Sequence, residues 1–308
     1  MLLSKSLYIR GLQCQKSLWL KIHNSSLLST EDQSKFETGN KVGLITRQLF
    51  PDGKEIKLTN PIEQIKKTKE YLTSGINTIY EATFEFDGVM IMVDILQIDD
   101  DDSINIYEVK RSTKVKPTHL DDVSIQYYVL TNLGYQIKSS NIICLNNKYI
   151  RGKNLDLKQL FLINDITDSI LPLQPGKIEQ LKSIIITQEP KVEIGRHCTS
   201  PYKCDAYDYC WKHILGNSIF NITNLSIKKK MALYSKGVIT VDQIKDLSDF
   251  KKHQIIQIQS ELNNEVYIDD KAISNFLEGI TYPIYHLDFE FFQQAIPEWS
   301  GVKELIIS

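Results

Sequence analysis

The 308-residue sequence lacks any apolar run of the roughly 18–20 residues that a membrane-spanning helix requires. It also lacks internal repeats and low-complexity segments. These absences predict a soluble chain with no membrane partner, and its length is ample for a hydrophobic core.

Positive charge is not in excess either. The 36 Lys and Arg residues meet 38 Asp and Glu residues, which gives a formal net charge of −2 and a pI near 6.3. Because indiscriminate coating of nucleic acid draws on many Lys and Arg contacts, this balance argues against such a protein. Any contact with a phosphate backbone is expected from local basic surface, whose candidates are Lys5, Arg10, Lys16, Arg111, Lys114, Lys116 and, less favoured than a solvated face, Lys228–Lys230.

Cysteine is scarce, and its spacing is unlike a disulfide framework. Of five cysteines, Cys198, Cys204 and Cys210 form a C-x5-C-x5-C pattern, Cys14 lies near the N-terminus, and Cys144 falls within an apolar run. With no signal peptide the chain is expected in the reducing cytoplasm, where clustered cysteines are more often metal ligands than disulfides.

Three clustered thiolates need a fourth ligand. Zinc sites usually draw on tighter cysteine pairs, whereas an iron–sulfur cluster accepts wider spacing and distant cysteines. The prediction is therefore an iron–sulfur site with Cys14 as the fourth ligand, and Cys144 as a buried strand residue. The alternatives are zinc with His197 or His213, or thiols that bind nothing.

The most informative stretch has the pattern D-x13-E-x-K. The segments 89–98 and 104–110 are rich in apolar and β-branched residues and are separated by an acidic turn, which predicts a β-hairpin. Side chains alternate along a strand, so Glu108 and Lys110 are expected on one face, and Asp94 on the neighbouring strand would join them.

Two carboxylates in that arrangement can hold Mg2+ or Mn2+ through oxygen ligands, to which the carbonyl of Val109 can add another. The ammonium of Lys110 can orient water or stabilise negative charge on a phosphodiester. The alternative is an exposed hairpin with ordinary surface charges.

The remaining periodicity indicates an α/β domain with a mixed sheet flanked by helices. The predicted helices cover 5–22, 33–50, 60–75, 119–135 and 175–189, and further strands cover 79–86, 139–146 and 160–167.

Together these motifs resemble those of RecB-like nucleases of the PD-(D/E)XK superfamily that carry a four-cysteine iron–sulfur site, such as CRISPR-adaptation exonucleases and the AddB nuclease domain. The segments "LSKSLYIRGLQCQKSLWL", "YEATFEFDGVMIMVDIL" and "INIYEVKRSTKVKPTHLDDVSIQYYVL" carry the resemblance with the cysteine cluster, across most of residues 1–215.

The resemblance implies a PD-(D/E)XK, restriction-endonuclease-like fold. It makes Asp94 and Glu108 metal ligands, Lys110 the catalytic lysine, and Gln126 with Tyr127 the helical motif after the hairpin. In that motif Gln126 would be a catalytic residue that supports Lys110 or the substrate, and Tyr127 a candidate DNA contact. It also implies a 4Fe-4S cluster on Cys14, Cys198, Cys204 and Cys210, which would act as a structural staple.

One departure from the family concerns a histidine that many relatives place at the end of a G-x-x-V-H pattern. Here the segment reads "GNKVG", and Gly43 stands at that position. Glu81 is the nearest candidate substitute for this metal ligand, with a plain strand-edge charge as the alternative.

Near the C-terminus, an apolar segment that is predicted to form a strand ends in Asp288-Phe289-Glu290. It is similar to the first motif of DEDD-type exonucleases with an RNase H-like fold, so the expected organisation is a nuclease domain at 1–215, a helical connecting region at 216–280 and a truncated second domain at 281–308. Asp288 and Glu290 would form an incomplete second site.

The sequence therefore predicts a cytoplasmic, metal-dependent nuclease that hydrolyses DNA, as an exonuclease on single-stranded ends. The leading alternative is a catalytically decayed nucleic-acid-binding or assembly module with a structural metal cluster, and the next is a redox or iron-sensing protein. Protein partners, polarity and pathway are left undetermined.

Overall fold

The computed structural model of the chain describes residues 2–30, 33–170, 173, 175–214, 216–289 and 294–303. The chain divides into two compact units. The first comprises 1–25, 30–191 and 291–308, and the second comprises 26–29 and 192–290. The three domain ranges expected from the sequence stay a prediction.

The first unit is built from short helices around one sheet. Its helices are α1 (Lys5–Gln13), α2 (Gln15–His23), α3 (Gln33–Thr46), α4 (Pro61–Thr73), α5 (Pro117–Asn132), α6 (Leu157–Leu160) and α7 (Pro175–Ile186). Its strands are β1 (Leu3–Ser4), β2 (Lys54–Glu55), β3 (Thr78–Phe86), β4 (Val89–Ile98), β5 (Ile104–Val109), β6 (Ile137–Leu145) and β7 (Phe161–Asp165).

The sheet is mixed, as the sequence predicts. It has seven strands in the described residues, in the order β2-β3-β4-β5-β6-β7, with β1 also pairing with β4. The β3–β4, β4–β5 and β6–β7 pairs are antiparallel, and the other pairs are parallel. Alternate residues of β4, including Val89, Ile91 and Val93, are buried in the core, where α5 packs through Val123 and Val129.

The two edges of β4 pair with different strands, and this pairing positions the candidate site. One edge is covered by β3 along its length, from Phe86 opposite Val89 to Thr78 opposite Gln97. The other edge is shared end to end: β1 pairs at its beginning, at Val89 and Met90, and β5 pairs at its end, from Ile95 onward. Asp94 lies next to where the β5 pairing begins.

Two predicted helices have different bounds in the structure. The helix expected over 5–22 is broken at Cys14, whose backbone is extended at φ −160° and ψ 118°. Cys14 ends α1 by donating its N–H to the Arg10 carbonyl and begins α2 by accepting from the Leu18 N–H. The helix expected over 33–50 ends at Thr46 and is followed by a 3-10 turn, Arg47–Leu49.

The second unit is largely helical. Its helices are α8 (Tyr207–Trp211), α9 (Ile227–Tyr234), α10 (Lys252–Asn263) and α11 (Asp270–Glu278). A small core forms from Ile219, Ile222, Leu225, Val241 and Ile258.

The prediction of a strand that leads into Asp288 is wrong. Residues 280–289 form no strand in the part of the chain that the structure describes, and Asp288 only accepts a hydrogen bond from the adjacent Phe289 N–H. The physical reason is that a strand needs a neighbouring strand for its backbone hydrogen bonds, and this segment pairs with none among the described residues. Glu290 lies outside the described residues.

Candidate active site

The predicted β4–β5 hairpin is confirmed, and its register brings Asp94, Glu108 and Lys110 together. Ile95 pairs with Tyr107, which places Asp94 beside Glu108. The Val109 N–H donates to Oδ2 of Asp94 at 2.7 Å, and Nζ of Lys110 donates to Oε1 of Glu108 at 2.8 Å. The structure thus collects two carboxylates and an ammonium at the end of β5.

Glu108 is the buried centre of this group, at 3% exposed. Besides Lys110, it accepts hydrogen bonds from Nζ of Lys5 at 2.9 Å and 2.8 Å and from Nε2 of Gln126 at 2.6 Å. Burial by itself raises the pKa of Glu108, but the ammonium groups of Lys110 and Lys5 outweigh burial and lower it to about 2. Glu108 is therefore ionised at neutral pH.

Asp94 behaves in the opposite way. Burial, followed by repulsion from the charged Glu108, raises the pKa of Asp94 to about 7. Two neighbouring carboxylates with pKa values pushed apart are typical of functional sites. Here the protonation state of Asp94 changes near neutral pH.

Asp122 is a site residue that the sequence analysis missed, since it lies within the helix predicted over 119–135 and was given no role there. Its carboxylate pairs with the ammonium of Lys110, and burial raises its pKa. The available signal was its spacing, because Asp122 and Gln126 are four residues apart and share one face of α5. That face is the one turned toward Glu108.

Gln126 is fully buried and only half satisfied. Its Nε2 donates to Glu108 and, at 3.2 Å, to the carbonyl of Asp122, whereas its Oε1 has no hydrogen-bond partner among the described residues. A buried polar atom without a partner is costly, so the site contains one acceptor suited to a further donor or cation.

Glu81 lies in the same site because it falls opposite Asp94 in the β3–β4 register. Tyr80 pairs with Ile95 and Ala82 pairs with Val93, so Glu81 and Asp94 occupy facing positions on the two strands. The Glu81 φ of 60° is left-handed, an unusual and strained conformation for this residue type. Glu81 is therefore an interior residue of β3 with an irregular backbone, in a strand that begins at Thr78.

Arg47 binds the Glu81 side chain. Its guanidinium donates to Oε1 of Glu81 at 2.6 Å and to Oε1 of Glu55 at 2.6 Å. Burial nevertheless raises the pKa of Glu81. Sequence analysis did not single out Arg47, and its contact with β2 and β3 depends on tertiary structure.

Four of the site residues, Arg47, Glu81, Asp94 and Glu108, line an open cleft of about 580 Å³, a size typical of ligand sites. The lining consists of Gly39, Asn40, Gly43, Leu44, Arg47, Glu55, Glu81, Asp94, Ile95, Glu108 and Val109. Gly43, where relatives are expected to have a histidine, thus faces the cleft. A Cβ added to Gly43 would have no atom within 4 Å, so the cleft has room for a side chain there.

The candidate DNA-binding residues are dispersed. Arg111 and Lys114 are exposed in the loop that directly follows Lys110. Arg10 on α1 donates to Oγ of Ser17 at 2.8 Å. Tyr127 lines a separate cavity of about 290 Å³ together with residues such as Ser124 and Thr167.

The oxygen donors of the cleft suit Mg2+ or Mn2+ chemically. The cleft is lined by the carboxylates of Asp94, Glu108 and Glu81 and by Val109. Outside this lining, the Oε1 atom of Gln126 has no hydrogen-bond partner among the described residues. Within the described ranges, no group of three or more His, Cys, Asp or Glu side chains is placed so that it would hold a metal ion. The donor set fits such a cation, but not in the arrangement that the side chains have here.

The predicted cluster cysteines divide between the units. Cys14 belongs to the first unit, and Cys198, Cys204 and Cys210 belong to the second. In the second unit the Cys204 N–H donates to the Cys198 carbonyl at 2.9 Å, and the Gly195 N–H donates to Sγ of Cys198 at 3.4 Å. Amide hydrogen bonds to sulfur are a feature of iron–sulfur sites. Cys144 is buried on β6, as predicted.

No protein-family model and no curated protein matches the chain. Among solved structures, that of SSO0001 is 13% identical with a TM-score of 0.30, over 69% of this chain and 84% of the other. That of an alkaline exonuclease (LHK-Exo) from Laribacter hongkongensis is 11% identical with a TM-score of 0.23, over 57% of this chain and 87% of the other. Membership of the RecB-like family stays a prediction.

No helix in the described residues is both long and apolar enough to cross a membrane.

Proposed function

We propose that the first unit is a metal-dependent nuclease that hydrolyses DNA phosphodiester bonds. The observation that carries the proposal is the convergence of Asp94, Glu108 and Lys110 on one hairpin, whose D-x13-E-x-K pattern suits this chemistry. Asp94 and Glu108 line the cleft, and Lys110 contacts Glu108. The preferred substrate is single-stranded DNA, attacked from an end.

Each residue has a role that follows from its surroundings. Asp94 and Glu108 would hold Mg2+ or Mn2+, with the Val109 carbonyl and Glu81 as further candidate ligands. When bound, the cation would promote the attack of water on phosphorus and neutralise the phosphate. Lys110, kept charged by Glu108 and Asp122, stabilises the negative charge that develops on the phosphate oxygens.

Gln126 is a positioning residue in this scheme. Its amide fixes the orientation of Glu108 from the buried side, and its own backbone lies on α5, which packs on the sheet. Arg111 and Lys114, exposed just beyond Lys110, would contact the phosphates that flank the scissile bond. Arg10 and Tyr127 remain candidate DNA contacts that rest on the sequence alone.

The test is cleavage of labelled single-stranded DNA by the purified protein in Mn2+ or Mg2+. Linear and circular strands of the same sequence are compared, because an exonuclease degrades only the linear strand. Asp94→Asn serves as the inactive partner. Cleavage of the linear strand by wild type alone supports the proposal, and equal cleavage by wild type and Asp94→Asn refutes it.

We also propose a 4Fe-4S cluster on Cys14, Cys198, Cys204 and Cys210. The support is the cysteine spacing and the amide hydrogen bond to the sulfur of Cys198. Protein purified without oxygen should contain iron and absorb in the visible range. Cys204→Ser should lose both signals, and Cys144→Ser, altered at the buried cysteine of β6, should keep them. Iron content that is equal in both variants would contradict the cluster.

The second candidate is a module that binds nucleic acid without cleaving it. Two observations favour it. Gly43 offers no side chain to bind a metal where many members of the resembled family have a histidine, and Lys5 donates hydrogen bonds to both carboxylate oxygens of Glu108. Retention of single-stranded DNA with no cleavage in Mn2+ or Mg2+ would select this candidate over the nuclease.

A further inference from the structure

Glu108 has no hydrogen-bonding capacity left for a cation. A carboxylate offers about four lone-pair positions, two on each oxygen. Lys5 and Lys110 both contact Oε1, at 2.9 Å and 2.8 Å, and Lys5 and Gln126 both contact Oε2, at 2.8 Å and 2.6 Å. Each oxygen thus accepts from two donors, so one donor must move before Glu108 can coordinate a metal.

Lys5 is the donor that is easiest to displace. Lys110 is held in addition by Asp122, and the Gln126 amide is held in addition by the Asp122 carbonyl. Among the described residues, both hydrogen bonds that the Lys5 ammonium donates go to Glu108. Departure of this one group would open a position on each oxygen at once.

The position of Lys5 is built into the fold. Leu3 is fully buried and pairs with Val89 in the sheet, and Ser4 caps α1 by accepting from the Leu7 N–H. Lys5 is the first residue of α1, and its Nζ crosses to the end of β5. Its side chain is 19% exposed, so part of it reaches solvent.

We propose that Lys5 is a built-in competitor for the catalytic metal, an ammonium that holds Glu108 until a divalent cation displaces it. This inference rests on the proposed function and names a regulatory feature of the same site. Competition raises the cation concentration at which the site fills. The displaced ammonium stays tethered beside the site, where it can pair with an anionic phosphate oxygen of the substrate.

The test measures Mn2+ binding to the protein without DNA, by calorimetry and by the electron paramagnetic resonance signal of the unbound ion. Lys5→Met and Lys5→Gln remove the charge, and Lys5→Arg keeps it. Lys16→Met is the matched control, because the Lys16 side chain is also 19% exposed but pairs with Glu189. Circular dichroism verifies that each variant is folded.

Lys5→Met and Lys5→Gln are expected to bind Mn2+ roughly tenfold or more tightly than wild type, the equivalent of about one charge-assisted hydrogen bond. Lys5→Arg and Lys16→Met should match wild type. Equal or weaker binding by both neutral variants would overturn the competition while the proposed function stands. Absence of binding in every protein would refute the metal-dependent function and this inference together.

Discussion

Replacing Arg47 with Met is expected to destabilise the first unit, because Arg47 links Glu81 of β3 to Glu55 of β2. Its guanidinium donates to Glu81 and Glu55 at 2.6 Å each, and it also lies 5.1 Å from the centre of the Tyr80 ring. Met keeps the apolar stem and removes all three contacts. Glu81 is then left as a largely buried carboxylate without its cation.

The magnitude follows from burial. The Arg47 side chain is 15% exposed and that of Glu81 30%, so the loss falls below the 3–5 kcal/mol typical of breaking a fully buried pair, at about 2–3 kcal/mol. Glu55 is better solvated, and its contact is screened to at most about 1 kcal/mol. The free energy of unfolding should therefore fall by about 3 kcal/mol.

Urea unfolding followed by circular dichroism measures this loss, and a double-mutant cycle with Glu81→Gln isolates the coupling. Arg47→Met combined with Glu81→Gln should be more stable than the sum of the single losses predicts, since no unpaired charge remains. Lys67→Met, which breaks an exposed ion pair on α4, should change stability little. A loss below about 0.5 kcal/mol for Arg47→Met, or strict additivity in the cycle, would refute the reasoning.

Two further predictions concern the cation. Mn2+ affinity should rise between about pH 5 and 8, because the pKa of Asp94 is raised to about 7 and the carboxyl must lose its proton before it can coordinate. Calorimetry at several pH values checks this, and a pH-independent affinity would contradict it. Gly43→His should tighten Mn2+ binding, since its Cβ has open space in the cleft. Gly176→His, on α7 and also sterically open, is the control, and an equal effect of both variants would argue against a ligand position at Gly43.

The hairpin and its face could be predicted because strand periodicity is local. Alternation alone places Glu108 and Lys110 on one side, and the acidic turn fixes the pairing that brings Asp94 alongside. The helix break at Cys14 was not predictable in this way, because the apolar spacing continues across it while the backbone turns extended.

The remaining site residues come from segments that are far apart in the sequence. Lys5 reaches Glu108 only because β1 shares an edge of β4 with β5, and Arg47, in the turn after α3, reaches Glu81 on β3 only through the tertiary fold. Such pairings depend on sheet topology, which side-chain periodicity does not specify. Glu81 was predicted as a candidate ligand, whereas its left-handed backbone could not be read from the residue type.

The most direct test of the central claim compares wild type with Lys110→Ala in the cleavage of end-labelled single-stranded DNA with Mn2+. Removing an ammonium that stabilises developing charge is expected to slow cleavage by about a hundredfold or more. Lys138→Ala, which loses an ammonium paired with Asp99, at the turn of the hairpin, should cleave at the wild-type rate. Full Mn2+-dependent cleavage by Lys110→Ala would contradict the assignment of this cleft as a nuclease active site.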